Sequence, residues 1–263
     1  MTTVKSKVGR KYPVRPDRKD PRDFKLKMLG LPKLGLQGAN LMQWFPVPYD
    51  QGAEGVCTGF GDKKFREYFL RRYTPQAFVE LSAQFDYWQE RSQEGNILVD
   101  SGAAISDGMM AMQKIGICPE TMDPYIAGNF ANVPTQEMVN AAAQYKIDNY
   151  YRVDSLSSIK NALENGLPVV CGVDVYESFE SDMASKTGII PMPAPGEGYL
   201  GGHCLILGAF QDTSSGVLGI GVDGYVLGSN HWGSDWGMNG NFKMSYAVLN
   251  KLLNDAWTGT VKS

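Results

Sequence analysis

An α+β fold is predicted by two observations. Helical periodicity fills the first half of the chain, and short apolar runs punctuated by Gly, Ser and Asp fill the second, without the strand–helix alternation of a parallel α/β protein. With 43% hydrophobic and 20% charged residues over 263 positions, the chain can bury one sizeable core, and no linker interrupts its middle. One unit with two lobes is therefore expected. The balance of 25 Lys+Arg against 28 Asp+Glu gives a net charge of −3, which does not announce a nucleic-acid partner. No apolar run approaches the roughly 18 to 20 residues a bilayer requires, so no membrane association is expected either.

Residues 1–44 read as an arm. Pro13, Pro16, Pro21, Gly30, Pro32, Gly35 and Gly38 break any long helix or strand. The stretch Met1 to Arg22 is basic but lacks an apolar signal core, so the mature protein is expected to begin close to Met1. A first helix is predicted from about Cys57 to Arg72. It places Val56, Phe60, Phe65, Tyr68, Phe69 and Tyr73 on one face, with Lys63, Lys64, Arg66, Glu67 and Arg71 elsewhere. Further helices are predicted at Ser82 to Arg91, Ser106 to Lys114, Thr135 to Tyr145 and Ser155 to Glu164, with Ser82 and Thr135 as caps and Asn165-Gly166 as a stop. Residues 168–175, 203–210, 224–229 and 241–244 read as strands of an antiparallel sheet or barrel. Ser245 to Trp257 reads as a last amphipathic helix.

Four cysteines, Cys57, Cys118, Cys171 and Cys204, form no CxxC pair and accompany no His cluster, which argues against zinc and for reduced thiols. Asp212, Asp223 and Asp235 read as turn formers rather than metal ligands. His203 and His231 are the two histidines, so any imidazole chemistry uses one of them. Cys57 opens a helix after the glycine-bearing loop Gln51-Gly-Ala-Glu-Gly-Val, where a helix N-terminus favours a thiolate. Alone, Cys57 reads rather as an inert buried cysteine, and His203 as a core histidine. The block Gly228-Ser-Asn-His-Trp-Gly-Ser-Asp-Trp-Gly-Met-Asn-Gly240 is not explained as a plain hairpin.

Taken together, these segments resemble the papain-like cysteine peptidases. Asp50-Gln-Gly-Ala-Glu-Gly-Val-Cys57 is similar to that family's nucleophile loop, and Gly201-Gly-His-Cys-Leu-Ile-Leu-Gly208 to its histidine strand. Asn230-His-Trp-Gly-Ser-Asp-Trp-Gly237 resembles its asparagine block, and Leu81-Ser-Ala-Gln together with Asp100-Ser-Gly its helical lobe. His203 follows Cys57 by 203 − 57 = 146 residues and Asn230 by 230 − 57 = 173, the latter consistent with a longer hairpin through Asp212-Thr-Ser-Ser-Gly216. The resemblance implies a two-lobe papain-like fold over residues 45–263, with a helical lobe at about 45–150 and a β lobe at about 151–263.

By the same resemblance Cys57 is the nucleophile, His203 its base and later acid, and Asn230 the group that orients the imidazole. Gln51 and the backbone N–H of Cys57 would form the oxyanion hole, with Trp232 shielding the Asn–His bond. A thiolate–imidazolium pair and a bell-shaped pH–rate profile are expected. Substrate would lie along Gly102 to Ile105, Pro168 to Gly172, Gly201 and Gly202, in a small apolar lining suited to a medium-sized hydrophobic side chain. A polypeptide substrate is implied, with no cofactor and no metal.

Four departures carry meaning. Thr58 replaces the family's Trp, and Glu54 replaces the first loop cysteine, so that loop's disulfide cannot form, as in the bacterial and viral branch. His231 stands where the family has Ser and is expected to be exposed or partner-bonded, not the base. The family's long prodomain is not expected, and the segment Tyr12-Pro-Val-Arg-Pro-Asp to Asp20-Pro-Arg-Asp-Phe24 is expected to pack as a strap rather than to fill the cleft. A bacterial or phage-infected cytoplasm, or a virion with phage structural proteins as partners, fits this branch. Other readings are a papain-fold acyl transferase or cell-wall peptide hydrolase, and a non-catalytic binding or virion-assembly module.

Overall fold

Helix α1 (Cys57–Tyr73) passes through the middle of the molecule, and every residue from Cys57 to Leu70 is buried. The computed structural model describes residues 4–17, 20–21, 23–213 and 224–262. Around α1 gather α2 (Ala83–Gln93), α3 (Ile105–Lys114) and α4 (Gln136–Ala142). The caps read from the sequence are formed: the Ser82 hydroxyl accepts from Phe85 N–H, and that of Thr135 from Met138 N–H. Ser155 likewise opens α5 (Leu156–Glu164), which ends at Asn165.

The other lobe is an antiparallel sheet. Its strands are β1 (Gly38–Asn40), β2 (Asn149–Arg152), β3 (Val169–Tyr176), β4 (Tyr199–Asp212), β5 (Gly224–Ser229), β6 (Asn241–Ser245) and β7 (Leu253–Thr260). They lie in the order β2-β7-β3-β4-β5-β6, and β1 pairs with β4 beyond the end of β3, at Ala209 to Gln211. Two further helices, α6 (Asp182–Thr187) and α7 (Tyr246–Leu252), complete the β lobe. The mixed helical and antiparallel architecture is the α+β class predicted.

Two parts of the prediction are corrected. The last helix stops at Leu252, and the chain continues as β7 between β2 and β3, burying Ala256 and Trp257. Asn254 and Asp255 are poor helix formers, and the open sheet slot satisfies their backbone better than another helical turn could. Asp212 is not a turn residue: it ends β4 and accepts from Lys160 Nζ at 2.6 Å and from the Tyr246 hydroxyl at 2.6 Å. Asp223 and the hairpin from residue 214 lie outside the described residues.

The lobes meet where α1 crosses β4. A Cβ added at Gly61 would lie 2.7 Å from Cys204 Sγ and 3.4 Å from Val170 Cγ1, so only glycine permits this approach. Replacement by Ala should lower stability by about 1–3 kcal/mol, despite the better helix propensity of Ala, because the added methyl overpacks the junction. Chemical denaturation should then show Gly61→Ala/Cys204→Ala less destabilised than the sum of the single variants; strict additivity would refute the contact.

Candidate active site

The loop before α1 is sewn to the loop after β5. Asp50 and Trp232 form an antiparallel bridge, Gln51 N–H donates to His231 O at 2.8 Å, and Gly233 N–H donates to Tyr49 O at 2.9 Å. These bonds bring the segments around Cys57 and Asn230 together across the lobe junction. Gln51 is buried; its side-chain amide N–H donates to Glu54 O at 3.0 Å, and its backbone carbonyl accepts the Tyr125 hydroxyl at 2.6 Å.

His203 sits on β4, fully buried, with Nε2 2.8 Å from Asn230 Oδ1. The same Oδ1 accepts the backbone N–H of His231 at 2.8 Å, which identifies this atom as the oxygen. An amide oxygen only accepts, so Nε2 carries the proton and neutral His203 keeps its lone pair on Nδ1. Nδ1 is buried without a hydrogen-bond partner among the described residues. The Trp232 ring stacks on the imidazole at 4.9 Å and 25°.

Cys57 is the first residue of α1, and the backbone N–H of Cys204, next after His203, favours its thiolate. Burial is the larger effect and pushes the thiol up to about 12. Burial likewise moves His203 down to about 4. In the site as folded, burial therefore works against the expected thiolate–imidazolium pair from both sides, raising the thiol and lowering the imidazole. Desolvation costs the thiolate more than the helix terminus returns.

What excludes water is the arm. Tyr12 lies edge-on to His203 at 5.9 Å and to Trp232 at 6.0 Å, and the Arg10 guanidinium lies over the Trp232 ring at 4.3 Å. Val14 N–H donates to Gly202 O at 3.1 Å, and Gly202 N–H donates to Tyr12 O at 2.9 Å. A Cβ at Gly102 would come within 2.5 Å of Pro13 Cβ, one at Gly201 within 2.3 Å of Tyr12 O, and one at Gly202 within 2.2 Å of Val14 O. The three glycines assigned to substrate thus grip residues 12–14. The expected strap holds further on, where Leu26 enters the core and β1 joins β4, but not here.

Two residues sit where the sequence reading did not expect them. Lys64 shares a face of α1 with Cys57 and Gly61, and its buried ammonium donates to Asn230 O at 2.7 Å and Ser229 Oγ at 2.8 Å. His231 is fully buried, neither exposed nor partner-bonded as expected; its ring stacks on Phe60 at 5.9 Å, and both nitrogens lack partners among the described residues. Burial, then the Lys64 charge, holds its imidazole neutral. The spacing of a lysine seven positions after Cys57 was the one available signal. Asp62, Asp86 and Glu90 form a buried trio with ligand atoms within 4.8 Å of one another, the group among the described residues that could hold a cation. Burial and mutual repulsion raise all three acids, and Glu90 accepts the Thr58 hydroxyl at 2.6 Å.

Comparison with known proteins is consistent with this arrangement. The family model described as papain family cysteine protease matches residues 50–255. A peptidase C1-like protein of Acanthamoeba polyphaga mimivirus is 32% identical over 260 residues, 92% of this chain and 80% of the relative. Among solved structures, xylellain, a cysteine protease from Xylella fastidiosa, superposes over 100% of both chains with a TM-score of 0.82 and 27% identity. Bromelain from Ananas comosus, solved with the inhibitor E64, matches 86% of this chain and 100% of its own at a TM-score of 0.63 and 16% identity, a likeness of fold alone.

Lys64 offers a test of the junction. Burial lowers its pKa to about 7, below the ordinary lysine value, so between about pH 7 and 10.5 the unfolded chain holds a proton that the folded chain does not. The cost of burying this charge is full below about pH 7 and fades as pH rises. Lys64→Met should therefore compare best with the parent at pH 6 and progressively worse towards pH 10 in melting temperature; a pH-independent difference would contradict the assignment.

Proposed function

Since the chain belongs to the papain family of cysteine proteases, we propose that it is an endopeptidase that cleaves polypeptides through Cys57, His203 and Asn230. The observation that carries this reading is the fixed tautomer of His203: Asn230 Oδ1 holds the proton on Nε2 and leaves Nδ1 bare on the ring's other side. Nδ1 takes the Cys57 proton as sulfur attacks the scissile carbonyl, and returns it to the leaving amine as the thioester forms. Water then enters by the same base and releases the acyl group as a carboxylic acid. The backbone N–H of Cys57 and the Gln51 amide stabilise the tetrahedral oxyanion, once Gln51 Nε2 turns part of its donor capacity from Glu54 O.

The resting protein is covered. Residues 10–14 lie over His203 and Trp232, so substrate enters only when they move, and returning water then restores the charged pair. The arm is thus an inhibitory segment in its first part. Four free cysteines favour a reducing setting, and the peptidase C1-like relative from a mimivirus fits a virus-associated protein. No helix among the described residues is long and apolar enough to cross a membrane.

Intact-mass measurement after exposure to an epoxysuccinyl peptide tests both points. One adduct is expected on the full chain and none on Cys57→Ala or His203→Ala. Arg10→Ala/Tyr12→Ala should label about tenfold faster, as expected when a covering contact of roughly 1.4 kcal/mol is lost. Absence of an adduct in the loosened variant, with Cys57 reduced, would overturn the peptidase reading; equal labelling rates would overturn inhibition by the arm.

A further inference from the structure

Beyond the covered site, the arm ends in a socket. The Asp17 side chain is 1% exposed, yet it lies in an extended segment with no helix or strand of its own. Three separate elements reach it. Ser106, in the first turn of α3, gives its hydroxyl at 2.8 Å and its backbone N–H at 3.2 Å to Oδ1. Trp257 of β7 donates its indole N–H to Oδ2, and Arg152 of β2 places Nη2 3.7 Å from the same oxygen. Two neutral donors, a hydroxyl and a guanidinium converging on one carboxylate form an anion site of the strong, charge-assisted kind. Its other neighbours are acids: Arg152 also pairs with Asp23 and Asp255, and Asp255 accepts the Asp17 backbone N–H at 2.6 Å. Burial and Asp17 together push the Asp255 carboxyl up to about 7.

We propose that the pocket formed by Ser106, Trp257 and Arg152 is a substrate subsite, which receives an acidic side chain of the entering polypeptide after the arm and its Asp17 have left. The inference rests on the peptidase reading above. Three features support it. The socket opens onto a cavity of about 660 Å³, walled on the core side by residues that include Ser106, Arg152 and Trp257 with the acids Glu94 and Asp107, and on the other side by Arg15, Pro16, Asp20 and Asp23 of the arm, so departure of the arm widens it. Asp17 lies three residues beyond Val14, whose N–H pairs with Gly202, so socket and cleft are parts of one continuous path. None of the four donors comes from the arm, so all of them stay when it departs.

The test uses the full chain. In Asp17→Ala, the indole N–H resonance of Trp257, identified by its loss in Trp257→Phe, should shift, and acetate but not acetamide should return it. Acetate should bind about tenfold more tightly than acetamide, the difference one charge-assisted hydrogen bond commands, and Arg152→Met should abolish that preference. Asp17→Asn serves as a second, shape-preserving variant should Asp17→Ala not fold. Cleavage profiling of Asp17→Ala on a mixed peptide library should show acidic residues enriched at one fixed offset from the cut bond, and the enrichment should vanish with Arg152→Met. Equal binding of acetate and acetamide, or cleavage without acidic enrichment, would overturn the subsite. Absence of all cleavage with acetate binding intact would instead overturn the peptidase reading, and with it the subsite's role.

Discussion

The complete burial of α1 is the constraint on which the site depends. A helix buried on every side must pair the polar groups it carries or keep them uncharged, as burial favours at Asp62, because an unpartnered buried charge costs several kcal/mol. Its polar side chains therefore act as spokes into both lobes. Thr58 donates to Glu90, Lys63 lies 2.9 Å from Glu80 and 3.8 Å from the centre of the Tyr49 ring, and Glu67 accepts from Leu81 N–H and the Tyr49 hydroxyl. Lys64 reaches Asn230 and Ser229, while the Arg66 guanidinium and the Tyr68 hydroxyl donate to backbone carbonyls at Tyr145 and Gly166. Sliding one lobe on the other would strand a charge. The separation between Cys57 and the strand bearing His203 is consequently set by the helix itself, with Gly61 fixing the distance of approach.

Dehydration then decides the charge state. With Tyr12, Arg10 and Trp232 around the imidazole, burial pushes Cys57 and His203 towards their neutral forms, although the helix terminus and the Cys204 N–H both favour the thiolate. Activation is on this view a matter of hydration rather than of new catalytic groups. The hydrogen bonds that define the imidazole's tautomer are already made in the covered form, so uncovering need only let water stabilise charge that the scaffold is arranged to hold.

Much of this was legible in the sequence, for identifiable reasons. Caps at Ser82 and Thr135, the strand of His203 and the start of α1 at Cys57 are local decisions written in neighbouring residues. Lys64 was misjudged because periodicity reports a helix's average faces, and a helix paired by polar spokes looks solvated although it is not, while His231, in the loop after β5, is buried by a contact with Phe60 that is distant in sequence. β7 was read as helix because its place depends on a sheet slot between strands that are distant in sequence. The course of residues 10–14 has no periodic signature at all. It is fixed by absent side chains at Gly102, Gly201 and Gly202, and an absence reads in sequence only as a turn.

Those glycines also explain how the arm can be both firm and removable. Its pairing with Gly202 uses only backbone N–H and C=O groups, so any extended polypeptide offers the same bonds. The side-chain anchors flank that pairing: Lys11 donates to Asp100 at 2.6 Å, Tyr12 donates to Glu180 at 2.7 Å, Arg15 pairs with Glu94, and Asp17 is held from α3, β2 and β7. An intramolecular occupant competes at an effective concentration of the order of millimolar, so a substrate with the same backbone and no better ends stays outside. Loosening either end converts a clamped segment into a tethered one without touching the backbone bonds in between. The hold on this stretch of the arm therefore turns on carboxylates, Glu180, Asp100, Glu94 and Asp17 itself, that lie outside the Cys57–His203–Asn230 set.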